Sequence, residues 1–451
     1  MFVTDALLRK SVVVAQSLGR KGIDVTCGSS TRLSPAFFSR YCKNRVIYPS
    51  PETRPDAFVD MMLDHLRKHP QDVLFPTDDV TLKLFSRHHE DFEKVTHIPI
   101  PTPDQVAYGL DKARAMQIAN MLGIPHPRTV FPNSADDAEF LVQNLSPNLV
   151  IKPRGSSGGR GIVYVDPAES VGAVWQRVHE QYPYPLIQER ITVGAKFDVC
   201  VIMDRNNEPV ASFAQKELRH FPIKDGLSTM QESVWRPELV ERSIALLQAI
   251  GWYGVAEVEF AEDLETGETM LLEVNPRFWA SVQLAISCGV DFPYLLYQVA
   301  KGQRVTPVHS YTVGRRCRWL LPGDMFHYAA NPNRAQMDPP FFQFRNTDTV
   351  YDGLYADDPG ASLGVLLSCG HYLFDAEMWR LMLRGKRRKG APAQEPHTLA
   401  PTAIQPAQEP VERRETVVET LTVLEPARMH VDDWALTEAL IDRREPCSVE
   451  V

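Results

Sequence analysis

The first hundred or so residues alternate short Val/Ile-rich runs with amphipathic helical patterns, and this rhythm constrains the fold more than any other feature of the chain. FVTDA is followed by a helical pattern to about Gly19. IDVTCG, NRVIYPS, a helix across Phe58 to Lys68, DVLFPTDD and HIPIPTP come next. Strands separated by helices are joined by crossovers, which set them parallel and cover both sheet faces with helices. The expectation is a doubly wound α/β domain over residues 1 to 105. No G-x-G-x-x-G follows the first strand, so a dinucleotide site of the Rossmann kind has no support. The acids of PTDD, Asp78 and Asp79, have two open readings: capping the next helix, or touching a substrate at the strand's C-terminal end.

After Asp111-Lys112 a helix runs to about Leu122, then the turn GIPHP leads into mixed strands and helices up to about Gly302. The strands KFDVCVIMD and EPVASFAQKE look antiparallel and a long helix lies near 236 to 250, so this second unit is expected to be α+β. Within it, LVIKPRGSSGGRGI (149 to 162) joins an apolar strand ending in Lys152 to a loop containing Gly155, Gly158, Gly159 and Gly161. Backbone N–H groups in such a loop can wrap an anion while the lysine supplies charge, although an ordinary flexible turn has the same composition. The lysine precedes the glycines, which is not the P-loop order. LIQER (186 to 190) ends an apolar strand on Glu189, which suits either the edge of a purine ring or a surface charge pair with Arg190.

EVEF (257 to 260) and LLEVNPRF (271 to 278) flank a Glu-Thr-Gly-Glu turn signal and are expected to form a hairpin. Alternation puts Glu257 and Glu259 on one face, and Glu273, Asn275 and Arg277 on one face. A register centred near Thr266 places Glu259 opposite Glu273. Two opposed carboxylates repel unless a cation lies between them, and an all-oxygen set with a neighbouring amide suits Mg²⁺ or Mn²⁺ held jointly with phosphates. A solvated hairpin face is the plainer reading.

The order Asp111-Lys112, strand lysine with glycine loop, I-x-E, E-x-F and E-x-N-P-R resembles the ATP-grasp superfamily. It is most similar to the carboxylate–amine ligases allied to the ATP-binding halves of biotin carboxylase and carbamoyl-phosphate synthetase. The resemblance covers about residues 1 to 305. It implies a two-lobed ATP-grasp domain over 106 to 305, with a small lobe at about 111 to 187 and a large lobe at about 188 to 305. It further implies ATP and Mg²⁺ as cofactors. Lys112 and Lys152 would be phosphate-binding lysines, and Gly155, Ser156, Ser157, Gly158, Gly159 and Gly161 a loop over the phosphates. Glu189 and the backbone of Ile191 would meet the adenine edge. Glu259, Glu273 and Asn275 would be magnesium ligands, and Arg277 and Lys152 catalytic groups. Where the family often offers a glutamate to the ribose this chain has AKFD, which leaves Lys196 or Asp198 for that contact. The implied reaction joins a carboxylate and an amine, of amino-acid or peptide kind, through an acyl phosphate. An ATP-binding regulatory or scaffolding module and a kinase acting on a hydroxyl are the alternatives. The segment QKELRHFPIKDGLSTMQES (215 to 233) is expected to be a lid loop in which Lys216, Arg219 and Ser228 hold the substrate.

Residues 306 to 389 look folded but carry no assignable chemistry. From 390 the chain turns Pro-rich and acidic, and 391 to 451 hold twelve acids against five bases, the composition of a disordered tail. VDDWALTEALIDRR (431 to 444) is either a docking helix for a protein partner or an isolated, marginal helix. With 45 acids and 43 bases the remainder is nearly neutral, which argues against a nucleic-acid groove. Seven scattered cysteines with no C-x-x-C spacing suggest neither a disulfide framework nor a zinc ribbon. No apolar run reaches the roughly 18 residues of a membrane span, and the start lacks a signal-peptide pattern. The expected location is the cytoplasm. Oligomeric state, including a homodimer, is left open.

Overall fold

The structure, a computed structural model, describes residues 1–155, 161–223, 226–308 and 310–373. Four short strands, β1 (Phe2–Val3), β2 (Val25–Ser29), β3 (Cys42–Ile47) and β4 (Leu74–Phe75), form the expected parallel sheet in the order β3-β2-β1-β4. It is wrapped by α1 (Arg9–Arg20), α2 (Pro55–Lys68) and α3 (Asp79–Arg87), followed by α4 (His89–Glu93) and α5 (Pro103–Leu110). From β1 the chain crosses to β2 on one side, whereas β4 lies on the other. The switch point thus falls between β1 and β4, where open α/β sheets leave a crevice beyond their strand ends. HIPIPTP forms no strand. It makes a single bridge between Val73 and His97, because prolines 99 and 101 have no N–H to give a ladder.

Asp111 caps α6 (Lys112–Met121) by accepting from the Ala113 N–H. The small sheet beyond it contains β5 (Thr129–Val130), β6 (Leu149–Lys152), β7 (Val163–Tyr164) and β8 (Leu186–Glu189), in the antiparallel order β5-β8-β6-β7. Leu149, Ile151 and Ile187 bury one face of it together with Ala138 of α7 (Ala135–Leu141) and Val174, Trp175 and Val178 of α8 (Val171–Gln181). Lys152 and Gln188 point from the other face, as strand alternation requires.

The large sheet contains β9 (Val193–Met203), β10 (Pro209–Phe221), β11 (Leu227–Val234), β12 (Gly254–Asp263), β13 (Thr269–Asn275), β14 (Arg316–Arg318) and β15 (Thr349–Tyr351), in the order β13-β12-β9-β10-β11-β14-β15. One face packs on α9 (Pro237–Ile250) through Val199, Val201, Met203, Ala256 and Val258. The other face is divided along its length. Cys200, Ile202 and Phe213 join a core shared with Val12, Val13 and Val14 of α1, with α10 (Val282–Ser287) and with α11 (Phe292–Ala300), whereas Asp198, Glu257 and Glu259 occupy the polar end. Residues 306 to 373 add β14, β15, α12 (Met325–Ala330) and α13 (Pro359–Leu373), and their Cys317, Tyr355 and Val365 belong to the same core. The expected lid at 215 to 233 is corrected: β10 and β11 pair from Ala214↔Val234 to Phe221↔Leu227 and make the segment a hairpin. Its weak apolar periodicity comes from strands with one polar face and not from a loop. Six cysteines among the described residues are unpaired thiols, and no helix among those residues is long and apolar enough to cross a membrane.

Gly254 ties the first domain to the large sheet. Its φ is +100°, and a Cβ there would collide with the carbonyl oxygen of Pro99. Gly254→Ala is therefore expected to cost on the order of 3 kcal/mol in urea unfolding, from left-handed strain and the displaced backbone together. Gly267→Ala, at a turn with φ +72° and open space around it, should cost about 1 kcal/mol.

Candidate active site

Four acids and an amide converge at the polar end of the large sheet. The hairpin register sets Glu257 opposite Asn275 and Glu259 opposite Glu273, and β9 sets Asp198 opposite Glu259. The Asn275 amide donates to Glu259 Oε1 at 2.7 Å and to Glu257 Oε2 at 3.2 Å. Burial, then neighbouring acids, pushes the carboxyls of Glu257, Glu259 and Asp198 well above the ordinary carboxylate range. Glu273 is held the other way. Burial works against its charge, but Lys112, with Nζ 2.8 Å from Glu273 Oε2, and then Lys152 keep it ionised.

Lys112 begins α6, and its backbone N–H donates to the Arg154 carbonyl while Asp111 grips the Arg154 guanidinium. The first turn of α6 is thereby fastened to the start of the glycine loop. Lys152 Nζ donates to Gln188 Oε1 at 2.7 Å, and Gln188 in turn donates to Thr129. Gly155 is open to a neighbouring group, whereas Gly161 has φ +76° and faces Tyr182 and Pro153 too closely for a side chain. Ser156, Ser157, Gly158 and Gly159 lie outside the described residues. Glu189 turns to the helix-packed side of its sheet, where Oε1 accepts from the Ser146 N–H at 2.7 Å and from Arg128 at 3.3 Å. Gln188, not Glu189, therefore shares the Lys152 face. Ile191 follows in the connection to β9.

The first domain reaches the cluster through PTDD, where Asp78 meets the capping reading and Asp79 turns to an arginine of the cluster. Asp78 accepts from the Val80 N–H and caps α3, while Asp79 Oδ1 receives Arg277 Nε at 2.8 Å. Arg277 Nη2 lies 3.4 Å from Asn275 Oδ1. Against the cost of burial, Asp79 and Glu257 keep the Arg277 guanidinium charged.

Several residues named from sequence lie elsewhere. Arg219 is 3% exposed and is held by Asp324 at 2.9 Å and by the Pro339 carbonyl, so its guanidinium serves the packing of residues 316 to 352. Ser228 donates to the Arg219 and Met230 carbonyls. Lys216 alternates with Gln215 and Glu217 and thus faces away from the acids. None of the three reaches the cluster. Asp198, read as a ribose contact, is 3% exposed and accepts from Gln215 at 2.8 Å, which makes it part of the acidic face. Sequence reading passed over Glu217, Gln188 and Asp198's place among the acids. The i, i+2 spacing of Lys196, Asp198 and Cys200 was the available signal.

The acidic face fits a hard divalent cation. Its donors are all oxygen, and like charges buried together are costly until one binds. Among the described residues no three His, Cys, Asp or Glu side chains form a ready-made cage. Glu259, Glu273 and Asn275 would therefore share the ion with oxygens of a bound ligand, as Mg²⁺ commonly does.

An antiparallel sheet bearing Lys152 and a largely antiparallel sheet bearing an acidic hairpin with Lys112 against it follow a parallel-sheet domain; residues 111–307 match the family described as "Carbamoyl-phosphate synthase L chain, ATP binding domain". Over these residues the chain is similar to the ATP-binding domains of the ATP-grasp type. Among curated proteins it is 28% identical over 180 residues to a D-alanine–D-alanine ligase of Ectopseudomonas mendocina, covering 38% of this chain and 56% of that one. It is 24% identical over 188 residues to the carbamoyl phosphate synthase large chain of Xanthomonas campestris, covering 39% and 17%. The match thus spans little more than half of the first ligase. Among solved structures, biotin carboxylase from Campylobacter jejuni in complex with β,γ-ATP superposes with a TM-score of 0.61 at 16% identity, covering 70% of this chain and 74% of that one. N5-carboxyaminoimidazole synthetase from Staphylococcus aureus gives 0.56 at 15% identity, covering 70% and 80%.

Proposed function

We propose that this protein is an ATP-dependent carboxylate–amine ligase. The observation that carries the reading is the half-buried, directly opposed Glu259/Glu273 pair, flanked by Lys112 and followed two and four residues on by Asn275 and Arg277. ATP and Mg²⁺, or Mn²⁺, are the expected cofactors, in keeping with the matched ATP-binding domain. A bound divalent ion would screen the phosphate charge so that an anionic acceptor can approach. Lys112 and Lys152 hold phosphate oxygens, and the backbone near Ile191 meets the base. Arg277, fixed by Asp79, holds the incoming carboxylate and then the acyl phosphate. The carboxylate oxygen attacks the γ-phosphorus, ADP leaves, and an amine displaces phosphate to form the amide. Amino acids or short peptides are the proposed substrates, the cytoplasm the proposed location, and the acidic tail a proposed protein-docking element.

The test is mass spectrometry of the full chain with Mg-ATP, hydroxylamine and a pool of metabolite acids. A hydroxamate formed together with ADP is the expected product and names the acid. ADP formed only when alcohols are supplied would replace this reading with phosphoryl transfer to a hydroxyl.

A further inference from the structure

α13 (Pro359–Leu373) contains no Asp, Glu, Lys or Arg in its 15 residues. Its inner face closes the core. Ala361 and Val365 are buried there, and Gly364 lies so near the turn Pro35–Phe38 that a Cβ would stand 2.8 Å from the Pro35 carbonyl oxygen. The outer face is apolar as well. Leu363, Leu366 and Leu367, at i, i+3 and i+4, are 52%, 43% and 53% exposed and form one stripe. A helix that is apolar all round is ordinarily enclosed on every side. This one leaves its leucines to water.

The charge that the helix lacks comes next in the sequence. Beyond the described residues Phe374, Met378 and Leu381 recur at steps of four and three, and then Arg384, Lys386, Arg387 and Arg388 put four cations within five positions. They stand out in a chain whose net charge is -9. A leucine stripe followed by a basic run has the composition that settles at the surface of a bilayer, where apolar side chains enter the edge of the hydrocarbon and cations meet anionic headgroups. Other occupants fit only half of it. Nucleic acid would use the basic run and leave the leucines in water. A second copy would cover the leucines, but three half-exposed leucines fall well short of the roughly 800 Å² per partner of a stable interface, and the pairing adds a second basic run of the same sign. We infer that α13 is a membrane-surface docking helix, whose leucine stripe and the basic run after it hold the protein against a bilayer rich in anionic phospholipid. No described helix is long and apolar enough to cross a bilayer, so the contact is with the surface alone.

The experiment is co-sedimentation of the full chain with vesicles of phosphatidylcholine alone and of phosphatidylcholine mixed with phosphatidylglycerol, at low and at high salt. Wild type is expected to bind the mixed vesicles saturably, about tenfold or more tightly than the neutral ones, and to lose most of that preference in high salt. Replacing Arg384, Lys386, Arg387 and Arg388 together by Gln should weaken binding to the mixed vesicles by about a hundredfold, since each basic residue near an anionic surface is worth about fivefold. Leu363→Gln, Leu366→Gln and Leu367→Gln combined should weaken it about as much and leave the salt dependence in place. These leucines already meet water, so the variant is expected to unfold at the temperature of wild type. No saturable binding by wild type, or binding indifferent to the leucine variant, overturns the docking helix. A concentration-dependent dimer that the leucine variant abolishes, found without vesicle binding, overturns it in favour of a second copy. Should the leucine variant not fold, hydrogen exchange on wild type decides: exchange over residues 359–370 is expected to slow when mixed vesicles are added, and unchanged exchange there overturns the contact. Vesicle binding is read without nucleotide or substrate, so its failure and the failure of the ligase reading are separate results.

Discussion

Glu273→Gln should lower ATP-dependent hydroxamate formation by about a thousandfold, equivalent to about 4 kcal/mol of lost transition-state stabilisation. The size of the effect follows from its position. Glu273 is the acid of the cluster held ionised at neutral pH, because Lys112 sits 2.8 Å from it and Lys152 adds to the field. An amide would offer the cation one neutral oxygen and leave the Lys112 ammonium without its carboxylate. Burial makes an uncompensated charge expensive. Steady-state kinetics on the purified variant, with metal-free nucleotide binding as the control, measures this. Activity within tenfold of wild type would remove Glu273 from the reacting centre and, with it, the observation on which the ligase reading stands.

Glu259→Gln is expected to act in opposite directions on stability and activity. Burial, then Glu273, Asp198 and Glu217, raises the Glu259 carboxyl above its ordinary value. A raised folded-state pKa means that the stability contributed by this group is full below the unfolded value, near 4.5, and is lost as pH climbs through the folded one. Without a divalent ion, wild type therefore carries buried repulsion at pH 8 that the glutamine does not. Its amide oxygen still accepts from Asn275, so no hydrogen bond is forfeited. Urea unfolding should find the metal-free variant more stable than wild type by about 1 to 2 kcal/mol at pH 8, with the difference vanishing near pH 5. Adding Mg²⁺ should stabilise wild type at pH 8 and leave the variant nearly unmoved, while the variant's activity falls by more than a hundredfold. A variant less stable than wild type at pH 8 would mean that Glu259 serves as a structural acceptor and not as a strained ligand.

Much of this chain was readable in one dimension because the signals involved are local. Alternating β-branched and helical patterns determined the parallel sheet. The turn signal between EVEF and LLEVNPRF determined the hairpin, and period two then fixed the register that opposes Glu259 to Glu273. The order of lysines, glycines and acids carried the resemblance to the ATP-grasp superfamily, in keeping with the family matched at residues 111–307. Tertiary structure decided what depends on which of two polar partners a side chain meets. Glu189 is taken by the Ser146 N–H, and Gln188 alone turns to Lys152. Arg219 is taken by Asp324 from a segment more than a hundred residues away. Lys10, unremarkable in RKSVVVA, becomes a buried cation because α1 is enclosed between its own sheet and the large lobe. Charge in sequence says only that a group prefers water or a partner. Which partner it has is set by packing, since only the folded chain brings Lys10 to the Phe278 carbonyl oxygen.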